Sequence, residues 1–238
     1  MGIMKGEELR EVLERHRKWL EGEKGGERAD LRKTNLQCVD LQDTDLRYVN
    51  LEGADLQYAN LGYANLQYAN LLGVDFRNAT LRGTDFAYAE FQNANCKGAD
   101  LTGADLHSAK AWFVNFRYAN LRNANLQKAD LYCSDFQNAT LENAKLCYAD
   151  LHSTDLWFTN LRDADFQGAR FEQSCLPLWN GSLSANFDDV QLKQIAYHLV
   201  KAGLQSKNAS TETKAELNKL VEFANLYYRA KEYGLIEG

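Results

Sequence analysis

The residues best suited to metal ligation or nucleophilic chemistry are four histidines and five cysteines, and their spacing fits neither. His16, His107, His152 and His198 stand far apart, and none shares a metal-like or triad-like spacing with Cys, Asp or Ser. Zinc sites draw ligands in closely spaced pairs. Cys38, Cys96, Cys133, Cys147 and Cys175 form no such pairs, so free thiols are the expectation. Carboxylates are plentiful, but they recur with a fixed period. Carboxylate pairs therefore arise by construction and carry no sign of acid–base catalysis. Glycine recurs at single turn positions, and no glycine-rich phosphate loop appears. No catalytic, metal or cofactor site is expected, and neither is an enzyme.

The period belongs to the elements that would hold any such residue. From Ala29 to Leu178 the chain is thirty consecutive pentads without an insertion. The centre of each pentad is Leu or Phe in 28 of 30 cases, Cys96 and Ala111 being the exceptions. Two residues earlier stands a small residue, and between them Asp or Asn in 23 of 30. A period of five fits neither a strand nor a helix, so the chain must turn once per pentad. Gly53, Gly73, Gly83, Gly98, Gly103 and Gly168 sit at the last pentad position, where a positive φ is expected. Pieces this short bury nothing alone and must wind and stack. Four pentads per coil would place residues 20 apart above one another, with a bulky Phe beside each undersized centre. Thirty pentads then give a rod roughly 36 Å long, at ~4.8 Å per coil.

The pattern Ala-[Asp/Asn]-Leu-x-x, as in Ala54-Asp55-Leu56-Gln57-Tyr58 and Ala64-Asn65-Leu66-Gln67-Tyr68, resembles the pentapeptide-repeat family. That resemblance implies an all-β solenoid, a right-handed quadrilateral β-helix. It implies no single activity: some relatives mimic DNA and protect type II topoisomerases from quinolones, and others regulate cyanobacterial differentiation.

The expected organisation is an N-terminal capping helix within 1–28, the β-helix over 29–178 and a C-terminal α-helical segment over 179–238. Leu9, Val12, Leu13, His16 and Leu20 share one helical face with Trp19 alongside, and Gly22 ends the helix. Beyond Pro177 two further helices are expected. Leu217, Leu220, Val221, Ala224, Tyr227 and Tyr228 line one face of the last. That face either dimerises the chain or only caps the final coil, and a homodimer is the expectation.

The net charge is −6, and all of the excess lies in the repeats. That argues against nucleic acid as a partner. No apolar run approaches membrane-spanning length and no signal-peptide core is evident, so a cytoplasmic protein without membrane partners is expected. Two outward columns draw attention. Tyr48, Tyr68 and Tyr88 are spaced to stack. Leu72, Gln92, Trp112, Tyr132 and His152 form the second, flanked by Phe113 and Cys133. Trp112, Phe113 and Tyr132 are the candidate protein-contact residues; the alternative is that Trp112 or Phe113 folds inward beside the small Ala111. The reading is a non-enzymatic scaffold with an unidentified protein partner. Its rival is a DNA-mimicking protein that binds gyrase. The Arg77, Lys97, Arg117 and Arg82, Arg122, Arg162 columns speak against that rival, because they interrupt any continuous acidic face.

Overall fold

The computed structural model of the chain describes residues 4, 6–171, 174 and 211. The chain divides into two units, Met1–Phe187 and Asp188–Gly238; the first is described here. The last pentads and the helical face from Leu217 to Tyr228 lie outside the described residues.

Parallel bridges join residues 20 apart without interruption, from Asp30↔Asn50 to Asp150↔Arg170. The coil is therefore four pentads, and the unit is a four-sided solenoid. Its faces are numbered by their centres: face 1 runs from Leu31 to Phe171, face 2 from Leu36 to Leu156, face 3 from Leu41 to Leu161 and face 4 from Leu46 to Phe166. Every centre from Leu31 to Phe171 is buried, Cys96 and Ala111 included.

The five backbone N–H groups of the Leu56 pentad each have a partner, as a buried ladder requires. Around Leu56, the centre donates to Asp75 O in the next coil at 2.8 Å, and Tyr58 donates to Arg77 O at 3.1 Å. Ala59 closes the turn on Leu56 O at 3.1 Å, and Asn60 reaches back to Val39 O at 2.9 Å. The remaining donor, Gln57 N–H, is met by the side chain of Asp55 at 3.2 Å. This Asx turn recurs at Asn65, Asp85 and Asn125, among others. It explains why Asp or Asn precedes the centre: those side chains are short enough to bond the backbone two residues on.

The second residue after each centre has positive φ at every turn from Lys33 to Gly168. Six of these are the expected glycines; the others include Tyr48, Tyr58, Tyr63, Tyr68, Tyr88, Tyr118 and Tyr148. Positive φ at the third residue of a four-residue turn is the type II pattern. Bulky residues tolerate it here because inter-coil hydrogen bonds hold the backbone on both sides.

The undersized centre Cys96 is compensated from the neighbouring face. Phe91, on face 1, lies 5.8 Å from Phe76 and 6.4 Å from Phe116, nearly parallel to both. Phe116 stacks on Phe136 at 4.8 Å. The Phe91 ring thus continues the face 2 stack across the level where Cys96 is too small, keeping the interior close-packed. Buried hydroxyls are satisfied locally: Thr84 donates to Leu61 O at 2.7 Å and Ser134 to Ala111 O at 2.7 Å.

The helix α1 (Gly6–Leu20) covers the first coil. Leu9 is buried within the same core as the repeat centres, and Val12 and Leu13 pack against it. Glu7 and Glu8 in the first turn and Arg17 and Lys18 in the last complement the helix dipole. Glu23 N–H donates to Lys18 O at 2.8 Å, and Gly22 N–H to Trp19 O at 3.2 Å, with Gly22 at φ +70°. That is a Schellman ending. Gly26 then lies so close to α1 that a Cβ would fall 2.3 Å from Trp19 N.

Candidate functional site

The solenoid holds its polar side chains in fixed columns, and the columns decide what chemistry is reachable. His16 is wholly buried between α1 and the first coil. Its Nδ1 accepts from Ala29 N–H at 3.1 Å, while Nε2 is buried without a hydrogen-bond partner. Burial holds the imidazole below its ordinary pKa, against the opposing pull of the Arg47 backbone and of Asp45. His107 sits edge-on to Tyr88 at 5.6 Å, and His152 stacks on Tyr132 at 5.7 Å. Among the described residues no two histidines come together at one site.

The described thiols, Cys38, Cys96, Cys133 and Cys147, are similarly dispersed. Burial pushes the Cys96 thiol well up. Burial, with a hydrogen bond to Asp165, pushes Cys147 up to about 11. Both are poor nucleophiles at neutral pH. Among the described residues no group of three or more His, Cys, Asp or Glu could hold a metal ion.

Charges are compensated within the columns. Arg32, Arg47 and Arg77 grip Asp30, Asp45 and Asp75 in their own pentads at 2.6–2.7 Å. Arg82 reaches Asp100 in the next coil at 2.5 Å, and Lys110 reaches Glu90 in the preceding one at 2.6 Å. Arg122 and Arg162 share Glu142. Asp85 and Asp105 on face 4 accept only from neutral donors among the described residues, including Gln67 Nε2 at 2.5 Å and Asn125 Nδ2 at 3.0 Å.

Two aromatic ridges remain. Tyr48, Tyr68 and Tyr88 stack at 5.1 Å per step, as their spacing predicts. The ridge is longer than the repeat alone indicates. Trp19 of α1 meets Tyr48 edge-on at 6.1 Å, and His107 continues it past Tyr88. His107 was reachable from its place one coil above the turn of Ala87-Tyr88; Trp19 carried no such signal, because it lies on the helix.

The second ridge lies along face 1. Trp112, Phe113 and Tyr132 are 40%, 54% and 37% exposed. Neither Trp112 nor Phe113 folds inward. Phe113 is held outward by its turn geometry at φ +56° and by donating to Tyr132 O at 2.9 Å. Its ring meets Tyr132 edge-on at 5.6 Å. Leu72 extends the ridge in the opposite direction and is likewise exposed. Between Leu72 and Trp112 stands Gln92, only 6% exposed. Its Nε2 donates to Glu90 at 2.6 Å, and its Oε1 is buried with no donor.

The family described as pentapeptide repeats matches the chain in eight copies, over residues 27–61, 59–95, 81–111, 113–146 and 148–177. No curated protein matches. Among solved structures, a trypsin-treated variant of QnrB1, a plasmid-mediated fluoroquinolone resistance protein, is 15% identical at a TM-score of 0.45. The match covers 73% of this chain and 97% of that one. HetL, a pentapeptide-repeat protein involved in heterocyst differentiation regulation in Nostoc sp. strain PCC 7120, is 22% identical at a TM-score of 0.21, covering 77% and 94%. A second pentapeptide-repeat protein from Nostoc PCC 7120, alr5209, is 22% identical at a TM-score of 0.30, covering 79% and 99%.

Proposed function

We propose, from the premise that the chain belongs to the pentapeptide-repeat family, that it is a non-enzymatic cytoplasmic scaffold that binds another protein along face 1. The family's right-handed winding would give that face a straight, rigid edge. The observation that supports the reading is the exposed Trp112, Phe113 and Tyr132 ridge. Aromatic side chains concentrate binding energy at protein interfaces, because each brings a large area at little conformational cost. Around this ridge the ion pairs of Glu90 with Lys110 and Asp150 with Arg170 leave little net charge, which suits a protein partner rather than a polyelectrolyte.

The test is affinity capture with the full chain against a Trp112→Ala/Phe113→Ala variant, both verified as folded by circular dichroism. Specific partners should be lost from the variant. An unchanged set of captured proteins would sink the reading.

A further inference from the structure

The turn column beside face 4 carries three phenols that the scaffold reading leaves unused. Tyr48, Tyr68 and Tyr88 stand in consecutive coils, with ring centroids 5.1 Å apart at each step and planes within 9° and 5° of parallel. The backbone fixes that spacing. Each of the three has positive φ. Each also donates its N–H to the next coil: Tyr48 to Gln67 O at 2.9 Å, Tyr68 to Ala87 O at 3.1 Å and Tyr88 to His107 O at 3.0 Å. All three are nearly half exposed, at 41%, 45% and 47%. Solvent therefore reaches the rings from outside while their faces meet one another.

Loss of one electron and one proton turns a phenol into a phenoxyl radical, with unpaired spin on the ring carbons ortho to oxygen. Two such radicals join through those carbons. The hydrogens on the joined carbons then pass to the oxygens, which restores both phenols as dityrosine. In free solution the reaction is limited by the encounter of two short-lived radicals. A scaffold that holds the rings in contact makes the step effectively unimolecular. The other solenoid tyrosines lack that arrangement. Tyr58, Tyr63, Tyr118, Tyr132 and Tyr148 face Asn78, Gly83, Asn138, His152 and Gly168 in the next coil, and none has a tyrosine in the preceding one. Tyr58, Tyr63 and Tyr148 are more exposed than any member of the column, so exposure and stacking make opposite predictions about which tyrosines join.

We infer that the Tyr48, Tyr68 and Tyr88 column is an oxidative modification site, at which peroxide-driven one-electron oxidation forms a dityrosine bond between neighbouring coils. Tyr68 is common to both bonds the column allows. Tyr48 and Tyr88 lie two coils apart, roughly 10 Å at ~4.8 Å per coil, which is beyond joining distance. With hydrogen peroxide as the oxidant the step balances: two phenols give up two electrons and two protons, and the peroxide leaves as two waters. The new carbon–carbon bond staples coils near α1 that are otherwise held by hydrogen bonds and packing. No residue of the face 1 ridge takes part, so the inference stands apart from the scaffold reading.

The test treats dilute full-length protein with a haem peroxidase and limiting hydrogen peroxide, then with a thiol reductant to reverse any disulfide. The product should run as a single chain on a denaturing gel, weigh two hydrogens less than the untreated protein and show dityrosine fluorescence. Peptide mapping should join Tyr68 to Tyr48 or to Tyr88. Tyr68→Phe keeps a ring in the stack but has no phenol to oxidise. It should lose both mapped links with its circular dichroism unchanged, whereas Tyr58→Phe should keep them. Absence of a ladder link in folded wild type would overturn the inference, and so would links that join only separate chains. A Tyr48–Tyr88 link in Tyr68→Phe would overturn the spacing argument. Links at Tyr58, Tyr63 or Tyr148 in equal or greater yield would show that exposure governs and that the column is no special site.

Discussion

Two residues test how tightly side chains are tied to the winding. Gly83 and Gly73 share the same left-handed turn geometry, at φ +60° and +64°, but differ in surroundings. A Cβ on Gly73 meets open space, whereas one on Gly83 falls 2.7 Å from the Tyr63 ring. Gly73→Ala should cost about 1–2 kcal/mol, the left-handed penalty alone. Gly83→Ala should cost clearly more in urea denaturation, and Tyr63→Ala should remove the excess. Equal losses at the two glycines would show that the ring yields freely. His16 offers a pH test. Its folded-state pKa lies below the ordinary 6.5 because burial disfavours the charged ring; the Arg47 backbone and then Asp45 oppose, while the charges of Arg28 and Arg47 act in the same sense as burial. The unfolded chain therefore binds the proton more readily. The contribution is fully present above the unfolded pKa, and it is lost as pH falls below about 6.5 towards the folded value. Amide protection factors over Gly6–Leu20, corrected for the slower intrinsic exchange in acid, should fall at about pH 5 relative to about pH 7.5, with mid-solenoid protection unchanged. His16→Gln should flatten that difference. Equal pH dependence in the variant would assign the effect to other groups.

Among the elements, the face 2 stack depends on a ring borrowed from face 1. Phe91→Ala should cost roughly 3–5 kcal/mol, the range for a large buried aromatic. Cys96→Leu in the intact background should also destabilise, by about 1–3 kcal/mol, because Phe91 already occupies that space. In the Phe91→Ala background the same Cys96→Leu change should be much better tolerated, a coupling readable in a denaturation cycle. Additive losses would place the Phe91 ring elsewhere. The period itself was legible in the sequence because each pentad must bury one side chain, and nothing else in the chain competes with that demand. The 20-residue coil was legible from where the undersized centres fell. The Asx turn behind each Asp or Asn was not read, since it depends on where the backbone N–H points after the centre. Nor was the tolerance of tyrosine at positive φ, because local preference favours glycine and only the ladders on both sides override it. The face 1 aromatic ridge was half legible. Trp112, Phe113 and Tyr132 share adjacent columns in the sequence, but whether the rings turned inward depended on the packing around Ala111.

At the scale of the molecule, charge is what separates a scaffold from a mimic of nucleic acid. Duplex DNA carries one negative charge per ~1.7 Å. Here the whole chain carries a net charge of −6, and Arg82, Arg117 and Arg122 are each paired with a neighbouring acid. We predict no inhibition of DNA supercoiling by gyrase at several-fold molar excess of the protein. Potent inhibition, abolished by Asp85→Asn and Asp105→Asn, would instead favour mimicry. The uninterrupted period has one more outcome, for how such a chain tolerates change in length. Removing five residues from mid-solenoid leaves every later Leu or Phe buried, yet carries all later outer residues round to the preceding face. Removing twenty keeps every face intact and only shortens it. Insertions and deletions in this chain therefore act as quarter rotations of its surface, so a lineage can reshuffle which outer columns meet while the interior stays unchanged.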